Sequence, residues 1–452
     1  MGMALAMSGA AGQNGEESAI QNIETLVVLL TITLVVSLVS RRLRLPYTLV
    51  LVIVGLIIGL SPLVHGVVLD PNIVLFIFLP ALLFEGAWNV DVRKLAESWL
   101  PIFLLAGPGL LIALFFLTLI LHLSIGLSWL LALLVAAIVS PTDPIAALSL
   151  FKQLGFAERL RTVIEGESLF NDGVGVAAFE VILQLLLPSL GLASVAAAFQ
   201  GVSIFNLDLE ILWLLLGGPL VGIVVGWISS RFLRLVDDHL FETMLTLSVA
   251  YASYLFGTLL HTSGLLTVVC AGLVMGSYGK GQGMSQRSQE AAEDVWEFIG
   301  YLANSLLFLL LGMQIGTSDL IHAVPGILWA VLGVIVGRAL IIYTLIPLHD
   351  LLARRLAKRP TRRPERRLAL PRPRPLDKSW RPLLVATGLR GALSIALVLS
   401  LPTRFAQRGL LEGIVYGVVL ITLLGQGLVL RFLLPHWPAV QEAEEPQVEE
   451  HV

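Results

Sequence analysis

Four carboxylates fall in one apolar stretch, Arg161 to Leu187: Glu165, Glu167, Asp172 and Glu180, with Ser168 and Asn171 beside them. A charge at the centre of a bilayer costs at least a few kcal/mol, so an acid inside a membrane span marks a site. Side chains four apart stack on a helix. Ser168 and Asp172 therefore share one face, and Glu167 and Asn171 share the neighbouring one. The first pair suits a small cation; the second pair is placed to brace the helix.

A dehydrated Na⁺ wants several hard oxygens, and Asp172, Ser168 and Thr142 supply carboxylate and hydroxyl or carbonyl oxygens of that kind. Asp172 alone has the means to exchange. A dry, empty site disfavours the charged carboxylate, so a proton and a cation compete for the same group. Cation entry drives the proton off, and acid drives the cation off, which is antiport given only alternating access. A second free acid would make the site too negative, so Glu167 needs a partner. Arg338, permanently charged and inside a later span, is the expected one.

Two interruptions should bring these groups together. One span is broken at Ser140-Pro141-Thr142-Asp143-Pro144 and another at Thr387-Gly388-Leu389-Arg390-Gly391. Prolines remove donors and clash with the preceding turn, and glycines loosen a helix. Interrupted helices in corresponding positions of two halves point to a transporter's binding site. Asp143 would compensate the positive half-helix ends and add an oxygen near the ion, while Arg390 would compensate the negative ends. Glu165 is read as a cytoplasmic funnel for cations. Glu180 is read either as part of an outer vestibule or as a contact with another polar span. Glu85 is a further buried acid without an assigned role.

The chain has 452 residues, 56% of them hydrophobic and 13% charged, with a mean hydropathy of +0.88. Soluble domains run near about 25% charged, so this composition is that of an all-α integral membrane protein. About thirteen spans are expected, at 21–40, 46–61, 72–88, 99–123, 127–151, 161–187, 210–232, 239–260, 263–279, 294–315, 320–349, 382–401 and 411–434. The fifth and twelfth are the broken ones. They run in opposite directions, as an inverted repeat of two six-span halves requires. The expected organisation is a short outer N-terminus over 1–20, a transmembrane domain over 21–434 and an acidic cytoplasmic tail over 435–452.

Nearly all of the 29 Lys and Arg fall in loops on one side, so the N-terminus is expected outside and the C-terminus inside a plasma or inner membrane. No basic residue precedes Arg41, so the first span is expected to be retained rather than cleaved. The proline-rich basic loop, Arg354 to Arg381, is a solvated positive-inside loop, with attraction to anionic lipid as the sharper alternative. Its charge has no aromatic platform, so nucleic acid is not expected as a partner. A single cysteine, Cys270, excludes disulfides within the chain, and His122, His239 and His261 lie near span ends.

Gly166-Glu167-Ser168-Leu169-Phe170-Asn171-Asp172 resembles the signature of the NhaP/NHE-type monovalent cation/proton antiporters. So do Ser140-Pro141-Thr142-Asp143-Pro144, Phe78-Leu79-Pro80 with Phe84-Glu85-Gly86, and Gly388-Leu389-Arg390-Gly391-Ala392. Four motifs in the family's order cover spans three to twelve. The resemblance implies an NhaA-like fold of thirteen helices with two discontinuous crossing helices, core and dimerisation subdomains, a homodimer and elevator-like alternating access. It implies Asp172 as the ion- and proton-binding carboxylate, Thr142 and Ser168 as coordinating residues, and a Glu167–Arg338 pair supported by Asn171. Members with Asn-Asp at this place are typically electroneutral. Two departures stand out: a tail far shorter than in animal exchangers, and Glu85 where those have Asp.

The expected function is therefore exchange of Na⁺, with Li⁺ or K⁺ as alternatives, for H⁺, needing no cofactor beyond the transported ions. An intramembrane aspartyl protease pairing Asp143 with Asp172 is the remote alternative. A dyad needs two carboxylates sharing a proton, and the Gly-x-Gly-Asp context of such enzymes is missing here. A passive channel would need a carbonyl filter or a charged ring, and the sequence shows neither.

Overall fold

The computed structural model describes residues 27–40, 42, 47–60, 73–143, 148, 151, 157–189, 207–235, 237–314, 317–357, 373–402, 405 and 407–433. The expected termini 1–20 and 435–452, the middle of the basic loop, Arg41, Pro144 and Arg404 lie outside them. Among the described residues every regular element is helical. Within a bilayer no water meets exposed N–H and C=O groups, and a helix satisfies its own.

The elements are α1 (Val27–Ser40), α2 (Tyr47–Gly59), α3 (Phe76–Asn89), α4 (Val92–Glu97) and α5 (Trp99–Ile125). Next come α6 (Trp129–Val139), α7 (Glu158–Ser189), α8 (Leu207–Phe232), α9 (His239–Leu259) and α10 (Gly264–Gly279). The last are α11 (Gln286–Gln314), α12 (Thr317–Ala357), α13 (Trp380–Ala386), α14 (Ala392–Leu399) and α15 (Arg408–Leu433). Five are long and apolar enough to cross a membrane outright, and shorter apolar helices accompany them. Large apolar side chains such as Leu34, Phe115, Leu123 and Leu259 are exposed, which suits a hydrocarbon surround.

Helix ends follow local chemistry. Ser128 Oγ accepts from Leu131 N–H at the start of α6, and Asp238 accepts from Leu240 and Phe241 at 2.8 and 3.0 Å before α9. Gly126, at φ 71°, closes α5 in the left-handed conformation. Wide helical turns over Leu105–Gly109 and Met275–Gly279 interrupt the regular ladder. The first contains Pro108, whose missing N–H a widened turn accommodates.

The chain divides into two compact units. One takes residues 1–69 with 302–316, of which α1, α2 and the end of α11 are described. There a Cβ on Gly55 would lie 2.2 Å from the Leu309 carbonyl oxygen, so the two backbones touch only because residue 55 has no side chain. The other unit, residues 70–301 and 317–452, holds everything the site uses. Its core includes Phe151, Leu160, Ile164, Ile342 and Leu384, and Phe84 packs on Trp296 with ring centroids 4.6 Å apart.

Three features depart from the expected spans. Val92–Glu97 forms a short helix where a loop was expected, because Asp91 Oδ1 caps it at Arg93 N–H, 2.9 Å away. Helix α11 begins at Gln286 and α12 runs to Ala357, beyond the expected 294 and 349. An apolar-run criterion stops at the bilayer edge, whereas polar helical turns continue into water.

Candidate functional site

The two interruptions meet. Helix α6 ends at Val139 and the chain passes non-helically through Ser140–Asp143; α13 and α14 are separated by 387–391. Asp143 N–H donates to the Leu389 carbonyl at 2.9 Å, joining one break to the other through the main chain. Gly391 is required there. A Cβ at 391 would fall 1.9 Å from Asp143 Oδ2, so the carboxylate lies against bare backbone at the start of α14. Gly391→Ala is expected to push the crossing apart, as overpacking does at about 1–3 kcal/mol. A lowered thermal unfolding midpoint in detergent checks it, and an unchanged midpoint contradicts it.

Helix α7 approaches the first break just as closely, since a Cβ on Gly175 would lie 2.4 Å from Pro141 Cγ. That proximity allows α7 to replace the partners the break gives up. Asn171 Nδ2 donates to Thr142 Oγ1 at 2.8 Å, while Asn171 Oδ1 accepts from Thr142 N–H at 3.3 Å. Ser168 Oγ donates to the Thr142 carbonyl. Thr142, Ser168 and Asn171 are all buried. Asn171 thus fastens the broken strand of chain, and its amide goes to Thr142 rather than to the Glu167–Arg338 pair.

Glu167 and Arg338 form a two-pronged ion pair. Arg338 Nη1 and Nη2 donate to Oε1 and Oε2, the second at 2.7 Å, and Arg338 Nε donates to the Leu384 carbonyl at 3.0 Å. Glu167 is 2% exposed and Arg338 8%, so neither charge is left to water. Arg390 is equally buried, yet its Nε and Nη1 have no hydrogen-bond partner among the described residues. A cavity of about 20 Å³ lies between these groups, lined in part by Ser140, Thr142, Glu167, Asn171, Arg338 and Arg390. It has room for one water molecule.

Asp172 stands apart from the other acids of α7. Glu158 pairs with Lys94, Glu165 lies 3.8 Å from Arg161, Glu167 pairs with Arg338, and Glu180 has the Ser263 hydroxyl, at the start of α10, within reach. Asp172 makes no hydrogen bond or ion pair among the described residues and is partly exposed. Asp143, Arg390 and Glu167 are near enough for their charges to act on it. Glu85 accepts from Asn89 Nδ2 at 2.9 Å and has Glu297 and Asp143 in range. His122 is held by the Leu127 carbonyl and stacks on Trp129, away from these groups. Sequence reading gave no role to Ser140 or to the Leu384 and Leu389 carbonyls. Main-chain acceptors carry no residue-type signal, and only the glycine-flanked break hinted at the second of them.

The profile of a family described as "Sodium/hydrogen exchanger, transmembrane" matches residues 27–436. The chain is similar to the Na(+)/H(+) antiporter ApNhaP of Aphanothece halophytica, 36% identical over 427 residues, covering 93% of this chain and 76% of that one. It is 35% identical over 420 residues to the low-affinity Na(+)/H(+) antiporter NhaS1 of Synechocystis sp., covering 91% and 74%. In fold it resembles the sodium proton antiporter MjNhaP1 of Methanocaldococcus jannaschii at a TM-score of 0.71 and 20% identity, covering 94% and 99%. A match running from the first described helix to beyond the last, over a crossing of two broken helices, places this chain in the sodium/hydrogen exchanger family.

Proposed function

We propose that this protein exchanges Na⁺ for H⁺ across the membrane, with Asp172 as the one carboxylate that both ions use. The observation that carries the reading is the contrast along α7: Glu158, Glu165 and Glu167 each face a basic side chain and Glu180 faces Ser263, while Asp172 is partly open and unpartnered among the described residues beside the crossing. The names of the two relatives reported above, both Na⁺/H⁺ antiporters, favour Na⁺ over K⁺ as the cation.

Protonated Asp172 releases H⁺ as Na⁺ binds the carboxylate, with Ser168 Oγ, the Thr142 oxygens and Asp143 as the further hard ligands. Ser168 and Thr142 are already held against one another, so their oxygens need little ordering when the ion arrives. The Glu167–Arg338 pair neutralises itself and leaves the exchange to one acid. Arg390 offsets the charge that Asp143 and Asp172 would otherwise share.

Proteoliposomes carrying a pH-sensitive dye test this: an imposed Na⁺ gradient should drive protons the opposite way. Li⁺ and K⁺ in turn define selectivity, and movement with K⁺ alone would favour K⁺/H⁺ exchange. One exchangeable carboxylate implies one cation for one proton. Exchange should then be insensitive to a membrane potential, and a rate that tracks an imposed potential would sink that stoichiometry. The positive-inside pattern supports an outside N-terminus in a cell membrane, and the role that follows is sodium and pH homeostasis. The family resemblance favours a homodimer.

A further inference from the structure

We propose that a cavity on the far side of α7 from Asp172 binds an anionic phospholipid, with an acyl chain inside and the headgroup on Arg93 and Arg234. The cavity measures about 720 Å³ and is lined by side chains such as Ile102, Phe103, Phe170, Val174, Cys270 and Leu273. That is within the range of small-ligand pockets, which run to about 1,000 Å³. Phe103 is 61% exposed and Ile223, also in the lining, 48%, so the cavity opens sideways from helices that cross a bilayer. At that depth the surrounding molecules are hydrocarbon chains.

One end of the cavity is different. Val92, Ser277 and Tyr278 line it there, at the end of α10 and the start of α4. Ser277 Oγ is buried with no hydrogen-bond partner among the described residues. Arg93 follows Val92 and is exposed. Arg234 Nη2 donates to Tyr278 Oη at 3.1 Å, with its guanidinium carbon 5.4 Å from the ring centroid. This is the side on which the Lys and Arg of the chain collect. An occupant therefore needs a long apolar part, an acceptor for a hydroxyl, and an anionic head. Basic pockets between transmembrane helices on the cytoplasmic side take such heads. Phe170 and Val174 sit two residues either side of Asp172, so the lipid would back the helix that carries the exchanging acid.

The test uses the full chain in phosphatidylcholine vesicles containing a phosphatidylglycerol with a photoreactive diazirine in mid-chain. After irradiation, mass spectrometry should place adducts on Phe103, Phe170 or Leu273. A phosphatidylcholine carrying the same diazirine should give several-fold fewer. Each arginine near an anionic surface is worth about 1 kcal/mol, roughly five-fold in affinity, so Arg93→Gln with Arg234→Gln should cut the yield sharply. Val274→Trp fills the cavity while keeping both arginines and should remove the adducts even if the arginine pair proves necessary for folding. Equal labelling by the two lipids, no adducts on the cavity residues, or adducts that persist in Val274→Trp would overturn the proposal. Adduct formation does not require transport, so this result is independent of the exchange assay.

Discussion

Asp172→Asn should abolish Na⁺-driven proton movement and leave the protein folded. The replacement keeps the shape of the side chain but removes its charge and its titratable oxygen. Since the carboxylate has no hydrogen-bond or ion-pair partner among the described residues, none is broken. Thermal stability should stay about the same, because Asn matches the neutral, protonated side chain that the empty site holds in this mechanism. Losing the charged partner of a buried ion costs about 3–5 kcal/mol, so cation affinity should fall by at least roughly a hundred-fold. Flux in proteoliposomes should then match protein-free vesicles. Glu165→Gln and Glu180→Gln, which alter acids that face Arg161 and Ser263, should retain exchange. Proton movement at the parental rate in Asp172→Asn would remove the basis of the mechanism.

The second large effect concerns the brace. Arg338→Ala leaves Glu167 charged in a buried site and strands the Leu384 carbonyl that Arg338 Nε holds. Breaking a buried ion pair from one side costs about 3–5 kcal/mol, a large share of a protein's net stability. The variant should yield little folded protein and unfold at a clearly lower temperature. Adding Glu167→Gln removes the stranded charge and should restore part of the loss. Simple additivity of the two substitutions would mean that the residues do not act as a pair.

Much of this arrangement was legible in residue types. Charged residues inside apolar spans have few physical reasons to exist, so Glu167, Asp172, Arg338 and Arg390 announced a site, and Pro141 and Gly388 announced where the helices break. Helical spacing placed Glu167 and Asn171 on one face, but a face does not say which neighbour each side chain meets. The structure sends Glu167 to Arg338 and Asn171 to Thr142. Glu180 had two readings, an outer vestibule and a contact with another polar span, and the Ser263 hydroxyl at the start of α10 is within its reach. The cap that makes Val92–Glu97 helical was visible as Asp91, yet six residues between two long spans read as a loop. Wide turns at Leu105–Gly109 and Met275–Gly279 are features of the hydrogen-bond ladder, and the second has no proline to betray it.

The amide of residue 143 and the oxygen of residue 389 are both peptide atoms. Trimming either side chain leaves that tether intact, and only proline at 143 would take away its hydrogen. The acid of Asp143 can therefore be deleted to ask what its charge contributes while the knot between the opposed half-helices stays tied. The same tether obliges the two half-helix junctions to travel together whenever the site changes the side it faces.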